Sequence, residues 1–111
     1  MPMDMPTPSA ATIERYEDIG ASLSGDGVSL GKMFGMPCYK ARTKSFAGLW
    51  GDAMVFKLTG DAHAAALKLR GSELFDPSAM GRPMKEWVVV PAAHAERWPE
   101  LVRAALGFVP R

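Results

Sequence analysis

The side chains of this sequence that could carry out chemistry begin with one cysteine. Cys38 is the only cysteine in the chain. A thiol becomes a nucleophile or a redox sensor when nearby cations lower its pKa, and Lys40, two positions further along an extended segment, would share its face. The alternative is a small buried residue in a sheet, because free cysteine is usually buried and no resolving thiol is present. Cys38 is therefore a candidate reactive thiol and a candidate core residue.

The sequence offers little else for catalysis or metal binding. His63 and His94 each lack a second histidine, cysteine or carboxylate at metal-ligand spacing within their own segment. A metal site would need the fold to bring them together with Cys38. No serine nucleophile elbow, phosphate-binding glycine loop or dinucleotide fingerprint is present, and no pair of carboxylates is singled out for acid–base work. We expect no cofactor, no metal and no enzymatic activity.

A set of basic residues is the better candidate for binding a macromolecule. Around a predicted hairpin three of them alternate with small residues, so we expect these three to project together from its tip, with a fourth extending the patch; the set is Lys32, Lys40, Arg42 and Lys44. Arg82 is a further candidate. Such a patch could contact phosphates, with Tyr39 or Trp50 available for base stacking. The alternative role is solubility, because lysines on strand edges prevent unwanted pairing.

Charge is distributed unevenly along the chain. Residues 1–26 carry five acidic residues against one arginine, a net charge of −4, whereas residues 27–60 carry five basic residues against one aspartate, a net charge of +4. Two interpretations follow. Either the two segments attract each other across the fold, or the basic segment faces a partner.

Length and composition indicate one ordinary globular domain. The chain has 111 residues, of which 48% are hydrophobic and 23% charged, and no apolar run approaches the roughly 20 residues of a membrane-spanning helix. The N-terminus has no signal-peptide pattern. We predict a flexible lead-in over residues 1–8 and a single domain over residues 9–108. The lone cysteine and the lack of a targeting segment favour a cytoplasmic protein that does not contact membranes.

The periodicity predicts helices and strands that must position these residues. A first helix is expected to begin at Thr7 and Pro8, with one apolar stripe containing Ile13 and Tyr16. Four strands follow, the last two joined by a turn at Gly51-Asp52. A short helix capped by Asp61, two more strands and a final helix complete the order. The fold class is therefore α+β: a two-layer structure with an antiparallel sheet and helices packed on one face.

Several of these segments together resemble a known family. The motifs "KMFG", "GDAMVFKL", "LF", "GRPM", "VVVP" and "LVRAAL" occur in the order found in the N-terminal domain of TfoX/Sxy proteins, over about residues 13–106. The sequence has Trp87 where that family often has tyrosine. The resemblance implies a fold similar to YjbR-type proteins and secretion chaperones, in a stand-alone domain without the helical C-terminal domain of full-length members. It also implies a role in regulating competence together with transcription regulators.

These observations lead to three functional hypotheses. The first is a non-catalytic regulatory module that acts through a protein partner, with a possible homodimer through the free face of the sheet. Val55, Ala47, Leu49 and Val88 are expected to populate that face. The second is a nucleic-acid-binding domain that uses the basic hairpin. The third is a thiol-dependent enzyme or redox sensor at Cys38.

Overall fold

The computed structural model describes residues 7–23, 25, 27–33, 36–76 and 84–109. Phe34 and Gly35 of the "KMFG" motif, Arg82 and residues 1–6 of the predicted lead-in lie outside these ranges. The elements are α1 (Ala10–Ser22), β1 (Val28–Met33), β2 (Met36–Ala41), β3 (Lys44–Trp50), β4 (Ala53–Lys57), α2 (Gly60–Lys68), β5 (Glu73–Phe75), β6 (Met84–Pro91), a 3₁₀ helix (Ala92–Arg97) and α3 (Trp98–Gly107).

Helix α1 begins two residues later than predicted, because its cap is Ser9 rather than Thr7. The Ser9 hydroxyl accepts a hydrogen bond from the Thr12 backbone N–H over 3.3 Å. The Ser9 backbone N–H donates to Oδ1 of Asp52 over 2.7 Å, which ties the start of α1 to the β3–β4 turn. This bond, together with hydrogen bonds from the Thr12 and Ser9 side chains, lowers the pKa of Asp52 below its ordinary value.

The strands form one antiparallel sheet in the order β1–β2–β3–β4–β6–β5. The predicted turn at Gly51-Asp52 is confirmed: Trp50 pairs with Ala53 across it, and Gly51 adopts a φ of 59°, which glycine tolerates best. Three helices accompany the sheet in the predicted order: helix, four strands, helix, two strands, helix. The α+β fold class is therefore confirmed.

The main core lies between the helices and one face of the sheet. Helix α1 and its C-cap contribute Tyr16, Ile19 and Leu23, and α3 contributes Trp98 and Val102, all of them buried. The sheet residues that meet them are Tyr39, Ala41, Phe46, Ala47, Leu49, Met54, Phe56, Val88 and Val90. Burying each large apolar side chain stabilises the fold by about 1.5–3 kcal/mol. This core fixes α1 and α3 on the sheet.

The other face of the sheet is not free, in contrast to the sequence-based expectation. It holds a second apolar cluster of Met36, Val55, Phe75 and Trp87, all buried. Trp50 packs against this cluster, and its ring meets that of Phe75 edge-on with centroids 5.1 Å apart. The centre of the second face is therefore core, so the expectation of a free face is wrong there.

Three of the four residues expected on the second face lie on the helix side instead. Only Val55 lies on the second face, whereas Ala47, Leu49 and Val88 pack against the helices. The reason is the register, since residues that oppose each other in an antiparallel ladder share a face. Leu49 opposes Met54, and Ala47 and Val88 both oppose Phe56. Since Met54 and Phe56 belong to the helix-side core, the three residues lie on that side as well.

The remaining elements follow the predicted order, but the cap of α2 differs from the prediction. That helix begins at Gly60, and its cap is Thr59, two residues before the predicted cap Asp61. The predicted preliminary turn before Pro99 is the 3₁₀ helix, which leads directly into α3. Within the described residues, no helix has the length and apolar character needed to cross a membrane.

Candidate protein-binding groove

The candidate thiol is enclosed in the sheet. Cys38 is fully buried on the face away from the helices, where its Sγ lies 3.5 Å from the Ser45 hydroxyl. Its cross-strand neighbours are Gly31 and Gly48, which have no side chains. The ends of two long side chains fill this space: a Cβ on Gly48 would lie 2.5 Å from Cε of Met36, and a Cβ on Gly31 would lie 2.9 Å from Cε of Lys40. The thiol therefore has no open path to a substrate.

The basic residues do not form one patch. Lys40 opposes Ser45 on the face away from the helices, whereas Lys44 opposes Ala41, which packs against the helices. These two lysines therefore point to opposite sides of the β2–β3 hairpin. Lys32 opposes Pro37, at the far end of β1 from the hairpin turn. The predicted joint projection of the three hairpin residues is wrong.

Arg42 occupies a distinctive backbone conformation at the hairpin tip. Arg42 and Thr43 form the two-residue turn with φ values of 51° and 68°, a conformation that normally selects asparagine or glycine and is strained for a β-branched residue. Arg42 and Arg103 line one open cleft of about 680 Å³ at this end of the sheet. Nucleic-acid binding by this hairpin stays a prediction.

The two histidines bind backbone carbonyl groups instead of each other. Nε2 of His63 lies 2.7 Å from the Lys85 carbonyl oxygen, and Nε2 of His94 lies 2.8 Å from that of Arg70. Among the described residues, no three histidine, cysteine, aspartate or glutamate side chains come together as a metal-binding group. Both histidines fasten one segment of the chain to another.

A groove between α1 and β1 is the surface best suited to bind a partner. It has a volume of about 590 Å³, and its lining is mostly apolar: Ile13, Tyr16, Gly20, Val28, Leu30 and Leu49. Leu30 is 72% exposed and Ile13 is 38% exposed, which makes them two of the three large hydrophobic residues that the described chain leaves exposed. A contiguous apolar groove with exposed rim residues is typical of a protein-interaction site.

Close contact between α1 and the sheet shapes the groove floor. A Cβ on Gly20 would lie 3.1 Å from Cε1 of Tyr39 and 3.7 Å from Cδ2 of Leu30, so glycine allows α1 to approach the strands here. The Tyr16 ring stacks on the Tyr39 ring with centroids 4.5 Å apart and an interplanar angle of 9°. Burial raises the pKa of both phenols well above the ordinary value, so both stay neutral.

The charges around the groove are not paired with each other. Helix α1 carries Glu14, Glu17 and Asp18 against Arg15, and Glu17 lies on the groove rim. Lys32 is exposed on β1. In the parts of the chain that the structure describes, the one ion pair is Arg97–Glu100, at 3.2 Å on α3. Within the described residues, Glu17 and Lys32 therefore have no ion-pair partner in their own chain.

The stacked tyrosines allow a paired stability prediction. The Tyr39 hydroxyl donates to the Tyr16 carbonyl oxygen, whereas the buried Tyr16 hydroxyl has no hydrogen-bond partner among the described residues. We expect Tyr39→Phe to lower the free energy of unfolding by about 1–2 kcal/mol, and Tyr16→Phe to leave it unchanged or raise it by up to about 1 kcal/mol. Urea unfolding monitored by circular dichroism measures both, and equal losses in the two variants would contradict the assignment.

Sequence reasoning found α1 and β1 but missed the groove between them. Ile13 belongs to the predicted apolar stripe, yet it lies at the margin of that stripe and is partly exposed. The available signal was the alternation of Val28, Leu30 and Lys32 on one face of β1. That alternation shows only that the three residues share a face, not which face meets the helices or that β1 is the outermost strand.

Comparison of the chain with protein-family models, with curated proteins and with solved structures gave no match. The resemblance to the TfoX/Sxy N-terminal domain therefore stays a prediction, and the groove has to be interpreted from its own residues.

Proposed function

We propose that this chain is a small, non-catalytic interaction module that binds another protein through the groove between α1 and β1. One observation carries the proposal: Leu30 is 72% exposed on the outermost strand, beside an apolar groove. Covering one such side chain contributes about 1.5–3 kcal/mol to an association. The resemblance to TfoX/Sxy proteins supports a regulatory context for this binding.

The sheet edge beside the groove supports the same proposal. β1 pairs with β2 alone, so one side of its backbone has no strand partner within the described residues. An extended segment of a partner can add to such an edge through backbone hydrogen bonds, while its side chains enter an adjacent groove. Leu30 and Ile13 would provide the apolar contacts for those side chains.

Site-specific photocrosslinking tests the proposal in cells. With p-benzoylphenylalanine in place of Leu30, we expect irradiation to give a discrete covalent adduct with a protein. The matched control carries the same residue in place of Phe108, which is 45% exposed at the end of α3. Absence of an adduct at position 30, or the same adducts at both positions, would argue against the groove as a binding site.

A further inference from the structure

We infer that the protein bound in this groove is a second copy of the chain, paired β1 to β1 across a two-fold axis. The inference rests on the proposed function, because it uses the same groove and names its occupant. A two-fold interface requires a surface that is complementary to itself. The edge strand, the groove and the charges around them meet that requirement in turn.

β1 is the edge of this sheet that is suited to pairing. The opposite edge, β5, has three residues, whereas β1 has six. Its ladder with β2 runs from Val28 to Met33 with no register shift, so β1 is regular, and it contains no proline. Short strands, bulges and prolines are the usual means by which sheet edges avoid association. Lys32 is the one charged residue on β1 that could oppose strand pairing. Its charge can be matched by an acidic residue at the groove.

The register of β1 defines how two copies would meet. Antiparallel pairing keeps opposing residues on one face, so a two-fold axis through Leu30 places Leu30 opposite Leu30 of the second copy. Leu30 faces the helix side, because it opposes Tyr39, which packs on Tyr16 of α1. Both grooves then lie on the same side of the joined sheet, and each Leu30 covers the rim of the other groove.

The charges are complementary across the same axis. In this register Lys32 lies opposite Val28 of the second copy, and Val28 lines the groove whose rim carries Glu17. Lys32 and Glu17 have no ion-pair partner within their own chain among the described residues. Helix α1 also has no basic residue in its last turn, where a cation is favourable. On each side of the axis, Lys32 would therefore approach the groove that Glu17 of the second copy lines.

Molar mass in solution tests the inference directly. Light scattering after size-exclusion chromatography, with the protein at about 1–300 µM, should give twice the 12.0 kDa of the chain at the upper concentrations. Leu30→Asp should raise the dimer dissociation constant at least about a hundred-fold, because it places like charges opposite each other. Phe108→Asp, at an exposed apolar position outside the groove, should leave the dissociation constant unchanged.

Mixing two charged variants tests the register. Leu30→Asp and Leu30→Lys should each be monomeric alone, but an equimolar mixture should form a heterodimer, because opposite charges then meet at the axis. Recovery by mixing also shows that both variants are folded. A wild-type monomer at every concentration would overturn the inference, and so would a Leu30→Asp dimer as stable as the wild type or a mixture that stays monomeric.

The crosslinking experiment separates this inference from the proposed function. An adduct of twice the chain mass at position 30 supports both of them. A discrete adduct of another mass, together with a monomeric wild type, overturns the second copy and leaves a different protein as the partner. The absence of any discrete adduct overturns both.

Discussion

Phe75→Ala is expected to lower the free energy of unfolding by about 3–5 kcal/mol, the cost of removing a large buried aromatic ring. Phe75 is 1% exposed on β5, and its ring packs edge-on against Trp50, with centroids 5.1 Å apart. The loss should appear in urea unfolding, accompanied by a red shift of tryptophan emission as Trp50 gains solvent. The effect is large because Phe75 belongs to the cluster on the face of the sheet away from the helices.

Two further variants keep this prediction decisive. Phe108→Ala removes an aromatic ring that is 45% exposed, so it should cost less than about 1 kcal/mol. Phe75→Leu retains much of the apolar volume and should cost clearly less than the alanine variant, which keeps the measurement possible if Phe75→Ala does not fold. A cost for Phe75→Ala as small as that for Phe108→Ala would mean that the second face is open to solvent after all.

The element order could be predicted because it depends on short segments of sequence. The turn at Gly51-Asp52 needs a positive φ at its first residue, and glycine supplies it there at little cost. Pro99 marks the start of the last helix because proline is tolerated in the first helical turn. Periodicity and turn residues of this kind are local, so they identify elements without knowledge of the tertiary structure.

The faces of the sheet were harder to predict because they depend on pairing between strands. The regular alternation in β3 predicts that Phe46, Gly48 and Trp50 share one face of the sheet. Phe46 instead joins the helix-side core. A register shift in the β2–β3 ladder, where Tyr39 opposes Ala47 but Lys40 opposes Ser45, leaves Phe46 as the extra residue. Nothing in the sequence of β3 alone marks this bulge.

The candidate site was missed for a related reason. Whether Leu30 is buried or exposed depends on the position of β1 in the sheet order, and strand order is a property of the whole chain. The same holds for Lys40 and Lys44, which follow each other closely in sequence but oppose residues on different faces. Sequence spacing located these residues on their elements, and only the assembled sheet placed them on a surface.

Burial of Cys38 is expected to slow the reaction of its thiol strongly. The thiol is fully buried, so we expect it to react with Ellman's reagent at least about a hundred-fold more slowly in the native protein than in 6 M guanidinium chloride, because reaction has to wait for local opening. A native rate within about threefold of the denatured rate would contradict this and restore the reactive-thiol hypothesis.

Two lysine variants identify what protects the thiol. The side chain of Lys40 lies over Gly31, the cross-strand neighbour of Cys38, whereas Lys44 lies on the opposite face of the hairpin. Lys40→Ala should therefore raise the native reaction rate by about three- to ten-fold, and Lys44→Ala should leave it unchanged, since opening free energies vary locally with the contacts that cover a group. If Lys40 instead activated the thiol as a neighbouring cation, its removal would slow the reaction. The sign of this single change thus separates a lysine that covers a core cysteine from one that activates a catalytic thiol.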